Sequence, residues 1–162
     1  MNSNTLLRIE TAPTATEEVR ALVGELETVL AAEYSPEQRH GLSVEAIFQP
    51  HIRFFLARLG GTAVGCGGVA LFSGFAEVKR MYVRDVARGQ GVADAILARI
   101  EQEVRDAGLS LLRLETGDRQ LAAMRFYERA GFVRCPMFGD YVGMARQSIA
   151  TSVFLEKGLP VT

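Results

Sequence analysis

The spacing of apolar residues changes period several times along the chain, and each change marks an element. Residues 6–9 alternate like a short strand. Within 15–33, Val19, Leu22, Val23, Leu26, Val29 and Leu30 recur at three- and four-residue intervals, which predicts an amphipathic helix. Ser35-Pro36-Glu37 has the form of a fresh helix start, and a short helical piece is expected over 43–48. Residues 53–59 are strand-like, Gly60-Gly61 is a two-residue turn, and 62–72 returns as the second arm of a hairpin. Gly65, Gly67 and Gly68 predict a bulge or a close backbone approach in that arm. Ser73-Gly74 turns the chain into a further strand, 76–83.

From Val92 the period becomes 3.6: Ala95, Ile96, Leu97, Ile100 and Val104 form one helix face that ends at Gly108. A strand over 109–114, a shorter helix over 122–129 stopped by Gly131, and strands at 132–133 and 151–156 complete the pattern. Residues 136–149 carry no period and are expected to form a substrate-side loop. The order β-α-α-β-β-β-α-β-α-β-β predicts an α/β (α+β) chain with an antiparallel front and at least one β-α-β crossover.

Composition narrows the partner classes. The 162 residues suit one domain over 1–162, and 48% apolar with 23% charged residues suits a soluble globular protein. A net charge of −1 without a basic run argues against nucleic acid. No apolar run approaches the roughly 20 residues of a membrane span. The first residues carry an early acid and lack the positive and apolar regions of a secretory signal, so a cytoplasmic location is expected. Cys66 and Cys135 lie far apart without a ligand cluster, so no metal is expected and a disulfide has no support. Cys66 falls in an apolar strand pattern and reads as a small buried hydrophobe.

The most informative stretch runs from Met81 to Ala93, where a strand ends, a basic glycine-containing loop follows and a helix begins. A helix start leaves backbone N–H groups unpartnered and carries partial positive charge, which together suit a phosphate. Gly89 and Gly91 allow close approach, and Arg88 or Arg84 can add charge-assisted bonds. The dinucleotide fingerprint fails, because Asp94 stands where its third small residue belongs. The Gly-Lys-Ser/Thr of a P-loop is absent.

From Glu77 to Phe132 the chain resembles the GNAT superfamily of N-acetyltransferases. The family's Gln/Arg-x-x-Gly-x-Gly/Ala signature reads here as Arg88-x-x-Gly91-x-Ala93. Its second signature, a helix ending in Tyr before a Gly-Phe strand start, reads as Ala123 to Phe132 with Tyr127 and Gly131-Phe132. Lys79 to Val83, Leu114 to Gly117 and Ser152 to Lys157 extend the likeness toward a bacterial branch of acetyltransferases, weakest before residue 50. One departure is Gln120, where many members carry an Asn that contacts the pantetheine arm.

The resemblance implies a mixed central sheet of six to seven strands flanked by helices, with a splayed strand pair holding acyl-CoA. It implies an acyl-CoA-dependent N-acetyltransferase that moves an acetyl group from acetyl-CoA to a primary amine of a small molecule or peptide. The implied cofactor contacts are Met81, Tyr82, Val83, Arg88, Gly89, Gln90, Gly91, Val92, Ala93, Gln120, Ala123 and Tyr127. Tyr127 matches the family's general acid, and Glu77 lies at the spacing of the catalytic carboxylate in some protein-acetylating relatives. Glu115 or a water chain is the alternative base. His40 is expected as a surface or cap residue, with a role on the acceptor side as the alternative, and residues 138–141 are expected near the acceptor. Neither cysteine has a nucleophile's setting, so direct transfer in a ternary complex is expected. A homodimer is compatible with the family. The rivals are a non-catalytic acyl-CoA-binding regulator and a nucleotide-binding protein.

Overall fold

Phe54-Phe55-Leu56-Ala57 is an unbroken apolar run within a strand because both faces of that strand are covered. Phe54 and Leu56 pack with Val19, Leu22 and Val23 on one side, while Phe55 and Ala57 pack with Ile96, Ile100 and Val104 on the other. The computed structural model describes residues 6–160. In chain order the elements are β1 (Leu7–Thr11), α1 (Glu17–Ala31), β2 (Ile52–Leu59), β3 (Thr62–Leu71), β4 (Ala76–Val83) and α2 (Val92–Asp106). They continue with β5 (Leu111–Gly117), α3 (Leu121–Arg129), β6 (Val133–Arg134), α4 (Arg146–Ile149) and β7 (Ser152–Gly158).

The strands form one sheet in the order β1-β2-β3-β4-β5-β7-β6. Every pairing is antiparallel except β4 with β5, which is the β-α-β crossover through α2. The expected six to seven strands are therefore seven among the described residues, in a mixed sheet with α1 on one face and α2 and α3 on the other.

Local chemistry accounts for the helices. Thr16 caps α1, its hydroxyl accepting from the Val19 amide at 3.3 Å. In α2, Val92, Ile96, Leu97, Ile100 and Val104 are all buried, each side chain contributing roughly 1.5–3 kcal/mol of burial. Gly67 lets that helix lie close, since a Cβ there would stand 2.7 Å from Ile96 and 2.9 Å from the Met81 sulfur.

Several expectations are corrected. The second helix is only two single 3-10 turns, Pro36–Gln38 and Ala46–Phe48. Ser35 and Gln38 form a capping box there, but no apolar stripe follows to propagate a helix. Strand β5 starts and ends later than expected, because pairing with β7 carries it to Gly117 opposite Ser152. The loop 136–149 contains a 3-10 turn, Gly139–Gly143, and the short α4. The expected first strand begins at residue 7, not 6.

Candidate active site

Strand β4 is where the sheet opens. It pairs with β5 only at Ala76–Leu112 and Glu77–Arg113; beyond these the two parallel strands separate. The cause lies on the other edge of β4. Cys66 of β3 is opposite Tyr82 and Gly68 is opposite Lys79, so Arg80 and Met81 face Gly67 alone. Arg80 takes φ 53°, a left-handed conformation that costs a non-glycine residue roughly 1 kcal/mol or more. The bulge is held by the Cys66 thiol, which donates to the Arg80 carbonyl at 3.3 Å, and by Arg80 Nε, which donates to the Leu42 carbonyl at 2.8 Å. A bulge bends its strand and increases twist, which is what parting from β5 requires.

On one side of the splay lies a cleft of about 680 Å³. Its walls include Met81, Tyr82 and Val83 of β4, Arg88, Gly89, Gly91, Val92 and Ala93 at the head of α2, and Gln120, Ala123 and Tyr127 along α3 from its N-cap. Gly91 is the N-cap of α2 at φ 79°, a left-handed conformation suited to glycine, and provides no side chain to satisfy the first-turn amides. Gly89 shares that φ and has open space where a Cβ would stand. Unpartnered amides at such a helix start suit an anion, and this one faces the cleft.

Two candidates for phosphate contact do not join it. Gln90 is exposed, does not line the cleft and donates to the Val86 carbonyl at 3.3 Å. Arg84 is committed elsewhere: it holds Glu25 of α1 through two bonds of 2.9 and 2.8 Å and the Ala63 carbonyl at 2.9 Å. The Arg84 guanidinium holds the Glu25 carboxyl below its usual range. Arg88 lines the cleft and is exposed, with Asp85 3.0 Å away.

The other side of the splay is a smaller cavity of about 140 Å³. Glu77, Lys79, Arg80 and Met81 of β4 and Leu114 to Gly117 of β5 form its floor; Arg39, His40 and Tyr141 close it from the loops. Tyr127, Met81, Gln120, Ala123 and Leu26 line both spaces, so the side chain of Tyr127 stands where cleft and cavity meet. Burial alone pushes the Tyr127 hydroxyl well above the usual phenol range, so it stays protonated at neutral pH.

The two candidate carboxylates are held differently. Glu77 is buried, accepts from the Tyr141 hydroxyl at 2.6 Å and pairs with Lys79 at 3.0 Å. Burial, then the Glu77 charge, keeps Tyr141 protonated as that donor. Glu115 has no ion pair among the described residues and accepts one bond, from the Ser152 hydroxyl at 2.6 Å. Burial foremost, with the neighbouring Glu77 charge, pushes its carboxyl above the usual range; Ser152, His40 and Lys79 oppose that.

His40, expected as a surface or cap residue, lines the cavity: its Nε2 donates to the Ser148 carbonyl at 2.7 Å and its ring meets Tyr141 edge-on. Of residues 138–141, Tyr141 enters the cavity, Phe138 packs on Phe75 and Phe154, and Asp140 is exposed. Sequence reasoning missed Lys79, Arg80, Arg39 and Tyr34. The one signal available was a charged pair, Lys79-Arg80, inside the strand expected over 76–83. Both cysteines are free; burial pushes the Cys66 thiol up to about 12 and raises Cys135 as well.

Splayed strands beside an uncapped helix start fit the acyl-CoA-using transferase fold that the resemblance implies, and comparison with known proteins agrees. A sequence model of the Acetyltransferase (GNAT) family matches residues 19–132. An IAA acetyltransferase of Azospirillum brasilense is 41% identical over 140 residues, 85% of this chain and 88% of the relative. A crystal structure of a Klebsiella pneumoniae protein, provisionally named an acyl-CoA N-acyltransferase, superposes with TM-score 0.75 at 29% identity, over 96% of this chain and 99% of that one. A Thermoplasma acidophilum paia N-acetyltransferase solved in complex with coenzyme A shares the fold, with TM-score 0.69 at 16% identity, over 94% and 99% of the two chains. The chain belongs to the GNAT acetyltransferase family. It is an acyl-CoA-dependent N-acetyltransferase acting on an amine, which favours an enzyme over a non-catalytic acyl-CoA-binding regulator.

Proposed function

We propose that the chain transfers an acetyl group from acetyl-CoA directly to a primary amine, with both substrates bound together across the β4–β5 splay. The observation that carries this reading is the place of Tyr127, shared by a cleft that fits the cofactor and a cavity that fits an amine. Acetyl-CoA supplies the activated acetyl thioester. The amides at the head of α2 receive its pyrophosphate, and the β4 edge at Met81 to Val83, without a sheet partner toward β5, offers backbone groups to the pantetheine arm and the thioester carbonyl. Gln120 and Ala123 line the same path.

Glu115 takes the proton that the attacking amine must lose, directly or through a water. It is the carboxylate of the pair without an ammonium partner, and its raised pKa makes it the better base near neutrality. Glu77 is instead held by Lys79 and Tyr141. Tyr127 gives its proton to the departing CoA sulfur. A free thiol at Cys66, buried and pushed up to about 12, is no nucleophile, which favours direct transfer over an acetyl-enzyme. The acceptor is a small molecule rather than a protein segment, given a cavity of about 140 Å³.

Calorimetric titration of the purified protein with acetyl-CoA, beside Gly91→Glu, is the test. Micromolar binding lost in a folded variant, with free thiol released on adding amines, supports the reading; no binding by the folded wild type refutes it.

A further inference from the structure

At the wall of the acceptor cavity lies a second polar cluster that the transfer chemistry leaves unused: Arg39 and Arg80 line that cavity and, with Glu27, also line a neighbouring open hollow of about 510 Å³. Glu27, near the end of α1, ion-pairs with Arg80 through one oxygen and with Arg39 at 2.9 Å through the other. Arg80 is only 4% exposed at its side chain, and its Nη1 is buried without a hydrogen-bond partner. The Nε of Arg39 is buried without a partner too. One carboxylate thus serves two guanidinium groups, leaving one positive charge uncompensated and two N–H donors unmet. Buried donors are nearly always satisfied, and a desolvated charge without a partner is costly, so the pattern points to a ligand that completes it.

The other charges around the cavity do not supply the missing anion. Lys79 and Glu77 neutralise each other at 3.0 Å. Glu115, held by Ser152, faces the same space without an ion pair among the described residues. The charges named balance overall but are separated, with one unpaired positive charge at Arg39 and Arg80 and a lone acid at Glu115.

We propose that the acceptor is a small amine that also bears an acidic group, a carboxylate or a phosphonate. The acid docks on Arg39 and Arg80, and the amine faces Glu115 and Tyr127. This rests on the acetyltransferase reading above and names the acceptor class within it. Guanidinium forks match the paired oxygens of such acids and form charge-assisted bonds with them. The volume agrees: about 140 Å³ is close to the roughly 150 Å³ cavity that admits benzene, so an amino acid of similar size fits. A polyamine brings further cations against Arg39 and Arg80 and is disfavoured.

The test measures kcat/KM by free-thiol release for matched amines: β-alanine against β-alaninamide, glycine against glycinamide, and aminomethylphosphonate against both. The acid-bearing member of at least one pair is expected to exceed its amide by about tenfold or more. Carboxylate against phosphonate then separates the two acid classes. Arg39→Gln, at a partly exposed position, is expected to collapse that ratio by raising KM for the acid more than it lowers kcat, with partial rescue by Arg39→Lys. Arg80→Gln should do the same if it folds. Calorimetry with acetyl-CoA on each protein separates the outcomes. Acetyl-CoA binding with acid and amide used equally, with no acid-bearing amine turned over, or with the ratio unchanged in Arg39→Gln, overturns the acceptor class alone. Absence of acetyl-CoA binding by the wild type overturns the underlying reading and this inference with it.

Discussion

Two carboxylates and one phenol sit around the junction of cleft and cavity, and their surroundings assign them different work. Tyr127 has only burial acting on it, so its hydroxyl stays protonated throughout the working pH range. Tyr127→Phe is expected to lower kcat by about 10²-fold, with acetyl-CoA affinity unchanged by calorimetry. Glu115 must be ionised to accept a proton, so the rate should fall as pH drops through its raised pKa. The acidic limb of kcat/KM therefore lies above the usual carboxylate range. The Ser152 bond favours the charged form, so Ser152→Ala should move that limb to still higher pH. Glu115→Gln should abolish the limb along with most activity. A profile governed by Glu77 instead would survive Glu115→Gln with its limb in place. The motif spacing drew attention to Glu77, but spacing cannot report that Lys79 and Tyr141 would already occupy it.

Elements place these groups, and the device that does so is the bulge at Arg80. By setting two residues of β4 against Gly67, it bends the strand away from β5 after one short stretch of pairing. The head of α2 then points into the opened space with its first-turn amides unmet. Gly91→Ala must adopt φ near 79°, which should cost roughly 1 kcal/mol and weaken acetyl-CoA binding, whereas Gly91→Glu should abolish it by placing a carboxylate among phosphates. The end of β5 is pinned by Tyr34, whose hydroxyl accepts from the Arg119 amide at 2.7 Å. A Cβ at Gly117 would stand 2.2 Å from that hydroxyl. Gly117→Ala should therefore destabilise by about 1–3 kcal/mol, read as a lowered unfolding midpoint in urea, and displace the Arg119–Gln120 corner of the cleft.

At the scale of the whole molecule, two apolar clusters sandwich the sheet, and the cleft opens through it where β4 and β5 part. A ligand spanning α2, β4 and α3 ties together elements that also meet in the α2-side cluster. Acetyl-CoA at 100 times its Kd should stabilise by about 2.7 kcal/mol, and raise Tm by roughly 5–10 °C for a chain of this size. The Gly91→Glu protein should show no such shift in the same thermal scan. No helix among the described residues is long and apolar enough to cross a membrane.

Local sequence determined much of this protein. The periodicity of α1 and α2, the hairpin at Gly60-Gly61, the α2 entry at Gly91 and the Tyr127 motif all depend on residues close in the chain, where propensity and spacing act directly. The bulge or close approach expected from Gly65, Gly67 and Gly68 is present as both, with the extra residue on β4. Only the tertiary structure decided how far β4 and β5 stay paired, because that rests on a bulge opposite another strand. It also decided the fate of the charges. Arg84 reads as a phosphate ligand in the sequence but meets Glu25 from a helix 59 positions away. Arg80, read as part of a strand, converges with Arg39 on Glu27. Ion pairs are made between residues that folding brings together, and no local pattern records which partner a long, charged side chain will find.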